Sequence, residues 1–124
     1  MISVDFHAHI LPGADHGSSS VEESLSQLAI AKAHGFSKIV ATPHFYPHQH
    51  NLAAFLKKRE ECVASLKAAL TEGSPSVAVG AEVLLCNNLN RLENLASLCI
   101  GSSNVIMIEL PFSDFNHGYV DTVR

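Results

Sequence analysis

The sequence lacks the features that define several common classes of protein. No apolar run approaches the roughly 18 residues of a membrane span, and no basic segment precedes an apolar stretch at the N-terminus, so we expect neither a span nor a signal peptide. No cluster of Lys and Arg is longer than residues 57–59, and the net charge is −4, which argues against nucleic acid as a partner. The few cysteines are too widely spaced for a disulfide framework, which favours a reduced, cytoplasmic location; they are Cys62, Cys86 and Cys99.

The composition describes one small globular domain. The 124 residues are 47% apolar and 16% charged, so the chain can bury a core, and we expect a single domain over residues 1–124. No internal repeat, linker or low-complexity tract divides it. Its unusual feature is the presence of eight histidines, several of which follow predicted strands.

Predicted strands and helices alternate along the chain. Ser20 and Glu23 form a capping-box pattern that predicts a helix ending near Gly35. Apolar residues at helical spacing predict a second helix over residues 52–70 and a short one over 89–98, and an opening helical turn is predicted over 119–124. The predicted strands cover residues 2–6, 37–42, 76–85 and 104–110, and the predicted loops cover 43–51 and 111–118.

This alternation predicts an α/β fold with a parallel sheet and helical crossovers. About four parallel βα units are present, which are too few for an eight-stranded barrel of about 250 residues. The chain is therefore predicted to be either a small open sheet or half of a larger fold, and the incomplete final helix favours half.

Histidines and carboxylates follow the predicted strands. His7 and His9 are two residues apart after the first strand, so both imidazoles can converge on one point. Taken singly, each polar residue has a simpler interpretation as an exposed loop residue, and residues 15–17 (Asp-His-Gly) as a plain turn. Together they predict a divalent-metal site, because the carboxyl ends of parallel strands meet at one rim and a carboxylate closing an apolar strand needs a positive partner. The candidate metal ligands are His7, His9, His16, His44, Glu82 and Glu109.

Five segments of the sequence closely resemble a known family. They are DFHAHILPG at residues 5–13, EES at 22–24, ATPHFYP at 41–47, GAE at 80–82 and ELPF at 109–112. They resemble the PHP-type (polymerase and histidinol phosphatase) protein-tyrosine phosphatases of bacterial capsular and exopolysaccharide operons, of the CpsB/CapC kind. The resemblance covers nearly the whole chain in the same order. It implies the N-terminal part of a distorted (β/α)7 barrel of the TIM type, and a phosphotyrosine substrate on a bacterial tyrosine kinase.

The resemblance also implies three metal ions, often Mn²⁺, with Zn²⁺ or Fe as alternatives. Carried over by position, the first ion would be held by His7, His9 and Glu82. A second would share Glu82 with Glu109, and the third would lie at His16 and His44. A metal-activated water would attack phosphorus, so no cysteine nucleophile is needed.

The chain departs from the family pattern in two places. Residues 15–17 are Asp-His-Gly where the family usually has Asp-Asp-Gly, so His16 would be the ligand and Asp15 a supporting or turn residue. The later His-x-Glu-Arg and Ser-Asp-x-His motifs are absent. The sequence is therefore expected to be a truncated PHP domain with exposed sheet edges, for which robust activity alone is not expected and self-association is possible.

Two alternatives remain open from the sequence. One is a small-molecule phosphatase such as histidinol phosphatase, although those enzymes commonly carry Thr where this chain has Ile10. The other is a non-catalytic half-domain that binds metal or a partner through its open edges. Of the remaining histidines, His34 fits a helix end, whereas loop positions are expected for His48, His50 and His117, with a phenyl-ring pocket as the alternative.

Overall fold

Six short strands form two parallel sheets within the residues described by the computed structural model, which are 3–112 and 117–124. The first sheet has the order β1-β2-β4 and the second the order β3-β5-β6. The predicted α/β class with parallel strands is therefore confirmed. The strands are β1 (Val4–Ala8), β2 (Lys38–Ala41), β3 (His44–Phe45), β4 (Ser76–Val79), β5 (Glu82–Leu84) and β6 (Met107–Glu109).

The two sheets are joined where β2 leads into β3 and β4 leads into β5. The prediction of one strand over residues 76–85 was wrong, because Gly80 and Ala81 interrupt it, and the predicted loop 43–51 contains β3. Hydrogen bonds nevertheless continue across the break, from Gly80 N–H to the Ala41 carbonyl (2.8 Å) and from Glu82 N–H to the Pro43 carbonyl (2.9 Å). Gly80 suits the break, since a Cβ there would lie 3.0 Å from the Ile100 side chain, a tight contact.

Two long helices cover the first sheet. α1 (Val21–Ala33) begins at Ser20, whose hydroxyl accepts the Glu23 N–H at 3.1 Å. The Glu23 carboxylate bonds Ser19 N–H (2.8 Å) instead of closing the capping box on Ser20. α2 (Leu52–Ala69) matches the predicted second helix closely and is capped by the Asn51 side chain, which accepts the Ala54 N–H.

The remaining elements differ from the prediction in their details. The predicted helix over 89–98 is two 3-10 turns, Leu89–Arg91 and Leu95–Leu98. A continuous α-helix is prevented by the extended backbone of Leu92 and the left-handed backbone of Asn94. The last helix, α3 (His117–Val123), begins two residues before the predicted turn. The start of the first predicted strand at Ile2 and the centre of the predicted loop 111–118 lie outside the described residues.

Two apolar clusters form the core, one for each sheet. Around the first sheet, residues of α1 and α2 pack on β2, with Leu28, Ile39 and Leu66 almost fully buried. Around the second sheet the central residues are Phe45 and Val83. Large apolar side chains nevertheless remain exposed on β1 and around β6, namely Phe6, Val105, Leu110 and Phe112. Within the described residues, no helix is both long and apolar enough to cross a bilayer.

Candidate metal centre

The six predicted ligands come together where the strands of the two sheets end or begin. His7 lies in β1 and His9 and His16 in the loop after it, whereas His44 and Glu82 are the first residues of β3 and β5. His44 and Glu82 are paired in register, and Leu84, two residues further along β5, is paired with Glu109 of β6. The sequence predicted His44 and Glu82 at strand ends, whereas each begins a strand of the second sheet. The break between the two sheets brings both residues into the cluster.

The first group of donors is His7, His9 and Glu82. Glu82 Oε2 lies 2.9 Å from His7 Nε2 and 3.0 Å from His9 Nε2, and the two imidazole nitrogens are 3.3 Å apart. The Glu82 side chain is about nine-tenths buried, whereas His7 is half exposed. Three donors of this kind so close together form one triangular face that a divalent ion can occupy.

The second group is His44, Glu82 and Glu109. His44 Nδ1 lies 3.4 Å from Glu82 Oε2 and 3.3 Å from Glu109 Oε2, without the alignment of a hydrogen bond. As a result His44 Nδ1 and Glu109 Oε2 are buried polar atoms without a hydrogen-bond partner. Leaving two such atoms unsatisfied costs about 1–3 kcal/mol each, so this pair favours a cation bound beside it, at the carboxylates of Glu82 and Glu109.

His16 and His44 form a third, more open contact. Their Nε2 atoms are 2.8 Å apart, and the His16 ring lies on the surface of the protein. His44 also stacks on His9, with ring centroids 4.6 Å apart, so one imidazole contacts all three parts of the cluster. The proximity of two ring nitrogens, only one of which can donate, is typical of two ligands facing one ion.

Asp15 is the acidic residue that sequence reasoning left outside the ligand set. Its Oδ2 lies 2.8 Å from His9 Nδ1 and accepts the His44 N–H at 3.1 Å, and its Oδ1 accepts the Gly17 N–H at 2.9 Å. Burial raises the pKa of this carboxyl, but the bonds to Gly17, His9 and His44 outweigh burial and hold it below its ordinary value. The sequence feature that could have indicated this role is the Asp-x-Gly turn, because an Asp side chain at its start accepts a hydrogen bond from the backbone two residues later.

Gly17 is held against His9. A Cβ on Gly17 would lie 2.3 Å from the His9 carbonyl oxygen and 2.4 Å from its Cβ, so no other residue fits without displacing that histidine. The turn over residues 15–17 therefore positions His9 in two ways. Asp15 contacts one ring nitrogen of His9, and Gly17 leaves space for the His9 backbone.

The donor set fits divalent cations on two grounds. The separations of 2.8–3.4 Å match the edges of a tetrahedral or octahedral shell, which are about 2.9–3.4 Å for metal–nitrogen bonds near 2.05 Å. Each ring nitrogen of His9 also lies beside a carboxylate oxygen, Nδ1 beside Asp15 and Nε2 beside Glu82. This arrangement suits a proton on Nδ1 that is donated to Asp15 and a lone pair on Nε2 that can bind a metal ion.

Charge leads to the same conclusion. Every ion pair that the cluster makes among the described residues joins a carboxylate to a histidine. Burial raises the pKa of the adjacent Tyr46 phenol, and the negative charges of Glu109, Glu82 and Asp15 raise it further. Bound divalent ions would compensate this excess of negative charge.

The other histidines lie outside the cluster. His34 caps the end of α1 with its Nδ1 2.9 Å from the Ile30 carbonyl oxygen. His48 is exposed. His50 is also largely exposed, but its Nδ1 accepts the Tyr46 N–H and its ring lines a cavity beside His44. His117 is the first residue of α3 and is exposed, whereas the sequence placed it in a loop.

These features define an α/β protein whose parallel strands carry a cluster of histidines and carboxylates suited to several divalent ions. Comparison with known families identifies it further. The family described as capsular polysaccharide synthesis, CpsB/CapC, matches residues 3–121. The chain belongs to this family, as the resemblance in the sequence predicted.

A solved structure shares the fold. It belongs to the pair YwqE from Bacillus subtilis and CpsB from Streptococcus pneumoniae, described as unique metal-dependent tyrosine phosphatases. The chain superposes on it with a TM-score of 0.74 and 25% sequence identity, over 98% of its own length. The chain spans about half of that protein, since the match covers 49% of the solved chain. No curated protein matches the chain.

Proposed function

We propose that this chain supplies the first half of the active site of a metal-dependent phosphomonoester hydrolase that acts on phosphotyrosine in a protein. The single observation that carries the proposal is the buried, unpartnered pair of His44 Nδ1 and Glu109 Oε2 beside Glu82. A fold shared with metal-dependent tyrosine phosphatases supports it. The proposed protein substrate is a tyrosine kinase of capsular or exopolysaccharide synthesis, and the proposed compartment is the cytoplasm.

The architecture proposed for the whole enzyme is a distorted (β/α)7 barrel of the PHP type, of which this chain forms about four units. Two observations support this. The chain aligns with about half of the solved phosphatase, and apolar side chains are exposed beside the outer strands β1 and β6, where further barrel strands would cover them.

Each ligand has a proposed role that its contacts support. His7, His9 and Glu82 would hold one ion, Glu82 would bridge to a second held also by Glu109, and His16 with His44 would hold a third. The ions are proposed to be Mn²⁺, with Zn²⁺ or Fe as alternatives. When bound, such ions lower the pKa of a coordinated water and polarise the phosphoryl oxygens.

The protein's own contribution is orientation and proton placement. Asp15 keeps a proton on His9 Nδ1, so that His9 Nε2 presents its lone pair beside Glu82. Tyr46 stacks on His44 with centroids 5.4 Å apart, and this holds the His44 ring in one plane. The three free cysteines take no part in this chemistry; burial raises the pKa of two of them, Cys62 and Cys86, which keeps them as neutral thiols.

A second candidate is a non-catalytic half-domain that binds metal or a partner through its open edges. The exposed apolar residues beside β6 favour it, with Leu110 and Phe112 both more than half exposed. It predicts stoichiometric metal binding without hydrolysis.

Phosphate release separates the candidates. The chain is incubated with Mn²⁺ and either a phosphotyrosine peptide or histidinol phosphate, beside a Glu82→Gln variant as the matched control. Weak manganese-dependent release from the peptide, abolished in Glu82→Gln, is the expected result, because half of an active site is not expected to be robustly active. Release from histidinol phosphate alone would contradict the substrate class, and tight metal binding with no release from either would favour the half-domain.

A further inference from the structure

A cavity lies directly beside the metal centre, between the 46–51 loop and the start of α2. Its volume is about 290 Å³, and His44 forms part of its wall. A group bound in the cavity would therefore lie next to one of the proposed metal ligands. This volume is close to the lower end of small-molecule sites, about 300 Å³, so the cavity suits one side chain and not a folded partner.

The lining of the cavity favours a negatively charged group. The residues that line it include the basic Lys58, the polar Gln49 and the apolar Phe55. No Asp or Glu is among the described residues that line it. Lys58 lies in the second turn of α2, and the first turn of that helix carries no acidic residue.

We propose that this cavity binds an acidic side chain, Asp or Glu, next to the phosphorylated tyrosine of the substrate, and that Lys58 determines this preference. The proposal rests on the phosphotyrosine function proposed above. The metal centre would take the phosphoryl group, and the adjacent cavity would take the neighbouring carboxylate. The two anions would then be bound by separate positive groups on either side of His44.

Lys58 has a matched control on the same helix. Lys57 has the same charge and is also exposed, but it does not line the cavity. Lys57→Ala and Lys58→Ala therefore remove the same net charge, so only a local contact can make them differ. Neither residue contacts a proposed metal ligand through any hydrogen bond or ion pair described for the chain.

The test is a binding measurement on the Mn²⁺-loaded chain, which does not require turnover. Two peptides carry a non-hydrolysable phosphonate analogue of phosphotyrosine and differ only in a flanking Glu or Gln, and phenyl phosphonate serves as the small probe. We expect the Glu peptide to bind about two- to five-fold more tightly, as for one solvent-screened ion pair. Lys58→Ala should remove this difference and Lys57→Ala should retain it, and 0.5 M salt should reduce it.

The outcomes separate this inference from the proposed function. If phenyl phosphonate binds and the two peptides bind equally, or if Lys57→Ala removes the preference as fully as Lys58→Ala, the acidic subsite is refuted and the phosphatase proposal stands. If neither peptide nor phenyl phosphonate binds to the metal-loaded chain, the proposed function fails and the subsite fails with it.

Discussion

Replacing Asp15 tests whether the turn before His16 organises the metal centre. The Asp15 carboxylate accepts two backbone N–H groups, from Gly17 and His44, and contacts His9 Nδ1 at 2.8 Å. Asp15→Ala leaves both backbone donors without a partner in a largely buried position. At about 1–3 kcal/mol for each orphaned donor, the free energy of unfolding should fall by about 2–6 kcal/mol.

Asp15→Asn is the gentler variant, because an amide oxygen can still accept hydrogen bonds. It should retain most of the stability but lose about 10- to 100-fold in metal affinity, since the carboxylate that fixes the His9 tautomer is gone. Metal titration by calorimetry measures the affinity, and urea unfolding of the metal-free chain measures the stability. Unchanged metal affinity in Asp15→Asn would refute the role given to Asp15.

The pH dependence provides a second readout for Asp15. Its folded pKa is lower than its ordinary value of 3.8, so its stabilising contribution is complete above the unfolded pKa and is lost as the pH falls through the folded pKa. The metal-free wild type should therefore lose stability below about pH 4 more steeply than Asp15→Asn. Parallel curves for the two proteins would contradict this assignment.

Three further substitutions test the surrounding structure. Gly17→Ala should displace His9 and destabilise the fold by about 1–3 kcal/mol, with weaker Mn²⁺ binding by titration; normal binding would refute the close packing. Arg59→Met should cost about 2–4 kcal/mol in urea unfolding, because the guanidinium bonds the Gly80 and Ser97 carbonyls at 2.8 and 2.9 Å, and a change below about 0.5 kcal/mol would contradict this role. Glu23→Gln should lower the stability of the fold at neutral pH but not at pH 2, because hydrogen bonds from Ser19 lower the pKa of the Glu23 carboxyl. An equal loss of stability at the two pH values would show that the charged carboxylate is not the cause.

The sequence predicted the long helices and the parallel strands well. α1 and α2 have strong caps and helical spacing, and both helices form at the predicted positions. The break between the two sheets was missed, because the close approach of Ile100 to Gly80 is a tertiary contact that local pattern does not reveal. The 3-10 turns were missed because the extended backbone of Leu92 and the left-handed backbone of Asn94 override the helical spacing of the apolar residues.

The candidate site was easier to predict than its detailed geometry. Histidines and carboxylates beside parallel strands share one rim in this class of fold, and the structure brings all six predicted ligands together there. What the sequence could not show was which atoms face each other. The unpartnered pair of His44 Nδ1 and Glu109 Oε2 depends on ring orientation and on the register of β5 and β6. Asp15 was predicted as a supporting or turn residue, but its contacts with His9 and His44 could not be predicted.

The most direct test of the metal centre is the metal content of the purified chain, measured with that of Glu82→Gln after loading with Mn²⁺ and removal of free metal. Glu82 Oε2 contacts both His7 and His44, so the single variant should lose two bound ions together while the ion at His16 and His44 remains. Equal metal content in the two proteins, or no bound metal in the wild type, would contradict the assignment of this cluster as a metal centre.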